Sequence, residues 1–136
     1  MPQWIAAVLD SRIVSRLARV VLTFMFWSSG IAKILDWNSG IGDMTHFHLN
    51  PPVLFNVATI VVQLGGSALL IWGRWAWLGA GALAVFTVLT IPIAHDFWAM
   101  TGPRRMGEMY VAVEHISICG ALVLAAIVCR KEEARL

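Results

Sequence analysis

Four long apolar runs set the fold class of this chain of 136 residues. Each run is close to the ~20 residues that an α-helix needs to cross about 30 Å of hydrocarbon. Because only helices satisfy their own backbone hydrogen bonds in lipid at this length, we predict an all-α membrane protein. We expect one membrane domain, 1–136, folded as an antiparallel bundle of four transmembrane helices. The predicted spans are Arg16–Leu35, Val53–Trp72, Trp75–Ile93 and Tyr110–Cys129.

The composition agrees with a membrane environment and excludes other classes. Soluble domains carry about a quarter charged residues, whereas this chain has 13%. The net charge of +2 is too small and too scattered to indicate a nucleic-acid partner. Cys119 and Cys129 are ten positions apart on one predicted helix, so ~15 Å separates them and they cannot form a disulfide. The sequence contains no dithiol, haem or flavin motif.

Glycine, proline and polar stretches mark the expected connections. Gly73-Arg74 predicts a tight turn that makes the second and third helices antiparallel neighbours. Pro92 is expected to kink or end the third helix. The polar stretch Asp36–Pro52 is predicted to be a loop, and Met1–Ser11 to lie flat on the membrane surface. We expect the charged tail, Arg130–Leu136, to be solvated.

A signal peptide is the alternative interpretation of the first apolar run. Arg12, Arg16 and Arg19 precede the run, and Gly30-Ile31-Ala32 offers small residues at a spacing typical of cleavage sites. We expect the run to be kept as the first span.

The distribution of basic residues predicts the orientation of the bundle. Cytoplasmic segments carry an excess of Lys and Arg. With the N-terminus inside, seven basic residues lie inside and three outside, so both termini are predicted to be cytoplasmic (N-in and C-in). The inner residues are Arg12, Arg16, Arg19, Arg74, Arg130, Lys131 and Arg135, and the outer ones are Lys33, Arg104 and Arg105.

Lys33 follows thirteen residues without a charge, Val20–Ala32, at the end of the first predicted span. A lysine in this position either snorkels to water or pairs with a carboxylate inside the bundle. Asp36 lies one helical turn away, and Glu114 in the fourth helix lies at nearly the same depth. We therefore predict a contact of Lys33 with Asp36 or Glu114, with snorkelling as the alternative. Gln63, halfway along the second span, is predicted to make an interhelical hydrogen bond.

All four histidines, His46, His48, His95 and His115, lie on the predicted outer side. Imidazoles with carboxylates suit zinc, copper or iron. However, the sequence has neither a helical i, i+4 histidine pair nor a cysteine cluster, so we expect no metal site. Histidine also titrates near neutral pH, which suits proton transfer at a quinone headgroup. For any single histidine, a structural role at the interface is the alternative.

We hypothesise that the outer polar residues form an active or binding cleft. The catalytic set is Lys33, His95, Asp96, Glu114 and His115, and the binding set is Trp37, Gln63, Trp98 and Tyr110. Lys33 would stabilise negative charge that develops on a quinone oxygen, and His115, or His95 beside Asp96, would transfer the proton. The aromatic residues would wall the cleft, and Gln63 would line a deeper channel for the tail. A structural rim that ties the helix ends together is the alternative.

Two helical motifs carry a family resemblance. The first consists of Arg19, Phe24-Met25-Phe26, Ser29-Gly30-Ile31-Ala32-Lys33 and Asp36, and the second of Gln63-Leu64-Gly65-Gly66, Leu69-Leu70 and Gly73-Arg74. With His95-Asp96 after the third helix and small residues in the fourth, the chain resembles the DoxX family of small four-helix bacterial membrane proteins over about residues 16–125. Gln63 departs from the pattern, because the family commonly has an acid there, and a role that needs a charge at this position is in doubt.

The resemblance implies membrane redox chemistry. The founding members are subunits of a thiosulfate:quinone oxidoreductase, and others are associated with sulfur metabolism and oxidative stress. We therefore expect a multi-pass protein of the bacterial inner membrane that interacts with quinone, has no intrinsic cofactor and works with a partner redox subunit or as a homo-oligomer. The alternative is a non-enzymatic membrane module that binds a lipid or scaffolds a partner. The sequence leaves open whether the chain is an enzyme, and transport is a weaker third possibility.

Overall fold

The computed structural model describes residues 1–134, which are helical apart from short connections and contain no β-strand. The all-α prediction is therefore confirmed for this part of the chain. Arg135, one of the basic residues predicted to be cytoplasmic, lies outside the described residues. The elements are α1 Gln3–Leu9, α2 Arg12–Leu22, α3 Phe24–Leu35, α4 Trp37–His46, α5 Pro52–Trp72, α6 Ala76–Ala94, a short 3-10 helix Phe97–Ala99 and α7 Arg104–Glu133.

Three stretches are long and apolar enough to cross a membrane: α5, Ala76–Ala99 and α7. The helices α2 and α3 qualify only as a bent pair, so the described residues contain three or four candidate spans. The predicted second and third spans agree with α5 and α6 to within one residue at each end. The fourth predicted span, Tyr110–Cys129, lies within α7, which extends on both sides into residues that were predicted to be loop and tail.

The prediction of a continuous first helix is wrong, since α2 and α3 are bent by 54° at Thr23. The Thr23 hydroxyl donates a hydrogen bond to the Arg19 carbonyl at 2.8 Å, a local bond that often bends helices. The indole Nε1 of Trp27 donates to the Val20 carbonyl at 3.2 Å, which satisfies a backbone group freed by the bend. The break contains neither proline nor glycine, the residues that usually mark a helix break in a sequence.

The predicted loop Asp36–Pro52 contains a helix, α4, and this prediction is also wrong. The Asp36 side chain accepts a hydrogen bond from the backbone N–H of Ser39 at 3.0 Å, which is a helix N-cap. Gly40 and Met44 are buried on the inner face of α4. A Cβ at Gly40 would lie 2.6 Å from Oδ1 of Asn56 on α5, so only glycine permits this close packing.

The turn between α5 and α6 makes these helices antiparallel neighbours, as predicted. Gly73 ends α5 with a φ of 87°, a left-handed conformation that favours glycine. Gly66 on α5 faces Gly79 on α6, where an added Cβ would lie 2.5 Å from the Gly66 carbonyl oxygen. Small residues therefore permit the close helix contact expected in a membrane. Gly65 and Gly81 face open space instead.

The packed interior of the bundle is small compared with its apolar exterior. Fully buried Phe26, Leu70, Leu83 and Leu122 join α3, α5, α6 and α7 in one core. Many large apolar side chains on the outer faces of these helices are exposed, as expected for helices that face lipid. Pro92 lies inside α6, two residues before the helix ends, so the helix does end near the predicted position.

Candidate functional site

Lys33, in the last turn of α3, forms an ion pair with Asp43 of α4, with 3.2 Å between Nζ and Oδ2. The Lys33 side chain is 17% exposed and that of Asp43 is 50% exposed. The predicted pairing of Lys33 with Asp36 or Glu114 is wrong. Asp36 caps α4, and Glu114 lies on an exposed face of α7. Helical structure in α4 is the physical reason, because it places Asp43 opposite the end of α3.

The ion pair borders a mainly apolar cleft of about 340 Å³. Aromatic and aliphatic side chains from α4, the segment after it, α5 and α6 form its walls, while three polar side chains with hydroxyl or amide groups also line it. A cleft of this size, largely apolar with few polar groups, is typical of a small-molecule site. The lining residues are Lys33, Asp43, Met44, Phe47, Leu49, Phe55, Ala58, Thr59, Val62, Gln63, Phe86, Leu89, Thr90, Ile93 and Ala94.

Gln63 is the most buried polar residue in this lining, since only 5% of it is exposed. Its Nε2 donates to Oγ of Ser29 on α3 at 3.2 Å, which confirms the predicted interhelical hydrogen bond. Its Oε1 is buried and has no hydrogen-bond partner within residues 1–134. Because a buried carbonyl oxygen without a partner costs about 1–3 kcal/mol, a hydrogen-bond donor that reached Oε1 would be stabilising.

A second polar cluster joins the end of α6 to the first turns of α7. Nδ1 of His95 lies 2.7 Å from Oε2 of Glu108, and Arg104 lies 3.9 Å from the same carboxylate. The ring of His95 packs edge-on against the ring of His115, with 4.9 Å between centroids. The Nδ1–H of His115 donates to the Val111 carbonyl at 2.8 Å, which leaves Nε2 of this buried ring for another partner.

The predicted site residues lie in separate places in the structure and do not form one common site. Lys33 and Gln63 lie at the cleft, and His95 and His115 lie together in the second cluster. Asp96 is half-buried beside His95, whereas Glu114 faces outward. The aromatic residues that were predicted to wall the cleft do not line it. These residues are Trp37, Trp98 and Tyr110, and their side chains are largely exposed. Phe47, Phe55 and Phe86 form the walls instead.

Within residues 1–134 no group of three His, Cys, Asp or Glu side chains is arranged to hold a metal ion. His46 and His48 are exposed and apart from the histidine pair. Both cysteines are free thiols, and the buried Cys129 accepts a hydrogen bond from Nη1 of Arg19 at 2.8 Å.

Sequence reasoning missed Asp43 as the partner of Lys33. The signal that could have revealed it is Asp36, whose type and position suit a helix N-cap better than the partner of a lysine. A helix that begins after Asp36 turns back along the bundle and places Asp43 beside Lys33.

These features define a small multi-span helical membrane protein with a polar-rimmed cleft. The DoxX family model matches residues 15–96, more than half of the sequence, and the chain belongs to the DoxX family. This match includes Lys33, Asp43 and Gln63, and it ends before α7, short of the residue 125 expected from the sequence motifs.

The chain is also similar to an inner membrane protein, YphA, from Escherichia coli strain K12. The two sequences are 25% identical over 111 residues, which cover 82% of this chain and 79% of YphA. No solved structure matches the chain. The relative and the apolar helices confirm the predicted localisation as a multi-pass protein of the bacterial inner membrane.

Proposed function

We propose that this DoxX-family protein is a quinone-interacting subunit of a membrane redox system, and that the cleft beside Lys33 and Asp43 binds the quinone. The observation that carries the proposal is that Gln63, whose buried Oε1 has no hydrogen-bond partner within residues 1–134, lines a mainly apolar cleft with a cation at its border. The resemblance to DoxX proteins suggests quinone-linked redox chemistry, and the cleft is the candidate binding site for the quinone.

The residues of the cleft suit a flat ring with polar groups on its edge. Phe47, Phe55 and Phe86 offer apolar surface for a ring or for an isoprenoid tail. The ammonium group of Lys33 is a hydrogen-bond donor, and it would favour negative charge that develops on a ring oxygen during reduction. Oε1 of Gln63 accepts hydrogen bonds only, so it would bind the hydroxyl group of the reduced ring.

Asp43 would connect the cleft to water. Its side chain is half exposed while its partner Lys33 is mostly buried, so a proton can pass between solvent and the cleft through the pair. A bound quinone supplies two-electron, two-proton redox chemistry. The chain lacks haem, flavin and dithiol motifs, and a partner redox subunit would therefore supply the electrons.

The proposal includes four spans with both termini in the cytoplasm. Contacts of the bent pair α2–α3 support this count. Arg19 of α2 contacts Cys129 near the end of α7, and Lys33 of α3 shares the cleft with Ala94 at the end of α6. Because α6 ends where α7 begins, Arg19 and Lys33 lie at opposite ends of the bundle, as expected for a bent helix that crosses the membrane. The excess of basic residues beside Arg19 supports a cytoplasmic location for that end.

The test is mass spectrometry of the lipophilic molecules that remain bound during purification in a mild detergent. We expect quinone with the wild-type protein and much less with Gln63→Leu, which removes the acceptor but keeps the side-chain volume similar. The matched control is Gln3→Leu, because Gln3 is exposed on α1 and does not line the cleft.

Titration with a soluble quinone analogue gives a second readout. We expect the analogue to raise the thermal stability of the wild type and of Lys131→Met, but not of Lys33→Met. An absence of both co-purified quinone and analogue binding would overturn the proposal. Bound phospholipid or fatty acid in the cleft, in place of quinone, would favour the non-enzymatic lipid-binding alternative.

A further inference from the structure

A pocket of about 410 Å³, lined largely by arginine and glutamate side chains, lies at the end of the bundle opposite the Lys33 cleft. Arg12, Arg16 and Arg19 project from one side of α2, at the i, i+4 and i+7 spacing of a helix face, and Arg74 approaches from the turn after α5. The other lining residues are Trp72, Gly73, Cys129, Glu132 and Glu133.

Arg19 forms the fixed floor of this pocket and is only 6% exposed. Its Nε donates to the Ser15 carbonyl at 3.2 Å, and Nη2 lies 3.5 Å from a carboxylate oxygen of Glu132. Its Nη1 donates to Sγ of Cys129 at 2.8 Å. A Cβ at Gly73 would lie 2.6 Å from Nη1, so this glycine makes room for the guanidinium group.

The other three arginines, Arg12, Arg16 and Arg74, are exposed at the pocket. Within residues 1–134 no carboxylate lies within ion-pair distance of any of them. Four arginines therefore face two glutamates, and the pocket has an excess of positive charge. Exposed Trp72 adds apolar surface to the lining of this pocket.

We propose that this pocket binds the phosphate headgroup of an anionic phospholipid. Guanidinium groups bind phosphate oxygens in a bidentate manner, and their planar shape suits this better than lysine does. Basic pockets between membrane helices on the cytoplasmic side are suited to anionic headgroups. Trp72 would lie at the level of the headgroup, where tryptophan is favoured. A soluble phosphate shares this chemistry, and the experiment separates the two sources.

The experiment measures binding of phosphatidylglycerol and phosphatidylcholine to the purified full-length protein by native mass spectrometry. The variant R16Q/R74Q removes two exposed arginines from the pocket and keeps the floor residue Arg19. The control R105Q/R130Q removes two exposed arginines that do not line the pocket, so the net charges of both variants are equal.

We expect the wild type and the control to prefer phosphatidylglycerol, and R16Q/R74Q to bind it about tenfold more weakly. Equal affinities of R16Q/R74Q and R105Q/R130Q for phosphatidylglycerol would overturn the proposal. Displacement of this lipid by millimolar inorganic phosphate would also overturn it, in favour of a site for a soluble anion. If R16Q/R74Q does not fold in detergent, the comparison of R74Q with R105Q gives the same test.

Discussion

Lys33 and Asp43 connect the end of α3 to the middle of α4 across a gap of 3.2 Å, at the border of the cleft. This pair holds together two helices that meet at the capping residue Asp36. It also supplies a donor and a half-exposed carboxylate at the border of the apolar cleft. Both functions depend on α4, the element that the sequence did not reveal.

A double-mutant cycle with Lys33→Met and Asp43→Asn tests this pair. Because Asp43 is half exposed, we expect a coupling energy of only about 0.5–1 kcal/mol in thermal or chemical unfolding in detergent. The matched cycle with Lys33→Met and Glu114→Gln should be additive, since Glu114 lies on an exposed face of α7. Equal coupling in the two cycles would contradict the observed pairing.

The contact between α5 and α6 predicts opposite effects for two adjacent glycines. Gly66→Ala places a Cβ 2.8 Å from Cγ of Leu83, and overpacking of this kind costs about 1–3 kcal/mol. Gly65→Ala meets nothing within 4 Å and removes a flexible residue from a helix, so we expect it to be neutral or stabilising. Unfolding in detergent measures both variants, and similar losses of stability would refute this packing.

The same comparison within α4 tests whether this segment is a docked helix. Gly40→Ala would place a Cβ 2.6 Å from the buried side chain of Asn56, whereas Gly42→Ala points into open space. We expect Gly40→Ala to lower stability by about 1–3 kcal/mol and Gly42→Ala to leave it nearly unchanged. If the segment were the loop expected from the sequence, both alanines would be tolerated.

The fold was largely predictable because lipid imposes strong constraints on the chain. The length and continuity of the apolar runs determined α5 and α6 to within one residue, and Gly73 determined the turn between them. Local hydrogen bonds decided the features that were missed. At the bend a hydroxyl and an indole cap backbone carbonyls, and at the start of α4 an aspartate caps a helix that also packs Gly40 and Met44 inward.

The candidate site was predictable only in part. The position of a residue along its helix, and so its depth in the membrane, follows from the sequence, but the direction in which its side chain points around the helix does not. Lys33, His95 and His115 are near the expected end of the bundle. Glu114 precedes the buried His115 by one residue, and the 100° step of a helix therefore turns it outward. Asp43 was absent from the predicted set because a loop gives no direction for its side chain.

The hydrogen bond across the bend predicts that Trp27 stabilises the bend, which a tryptophan that only faces lipid would not do. Trp27→Phe removes the indole donor, but the Thr23 hydroxyl stays 3.4 Å from the Val20 carbonyl, so we expect a loss of about 0.5–1.5 kcal/mol. The control Trp77→Phe changes a largely exposed residue of α6 and should have little effect on unfolding in detergent. Equal stabilities of the two variants would show that the indole contributes nothing to the bend.

The last prediction concerns the course of the bent pair α2–α3 through the membrane. If the pair crosses the bilayer, the N-terminus and Arg130 lie on the same side, whereas a re-entrant pair places them on opposite sides. We expect reporters at the N-terminus, Arg74 and Arg130 to be cytoplasmic, and those at Gly40 and Gly102 to be external. Arg19 contacts Cys129 at one end of the bundle, while Lys33 shares a cleft with Ala94 at the other, and the excess of basic residues at the Arg19 end indicates the cytoplasmic side. An external N-terminus combined with a cytoplasmic Arg130 would establish three spans and would contradict the four-span proposal.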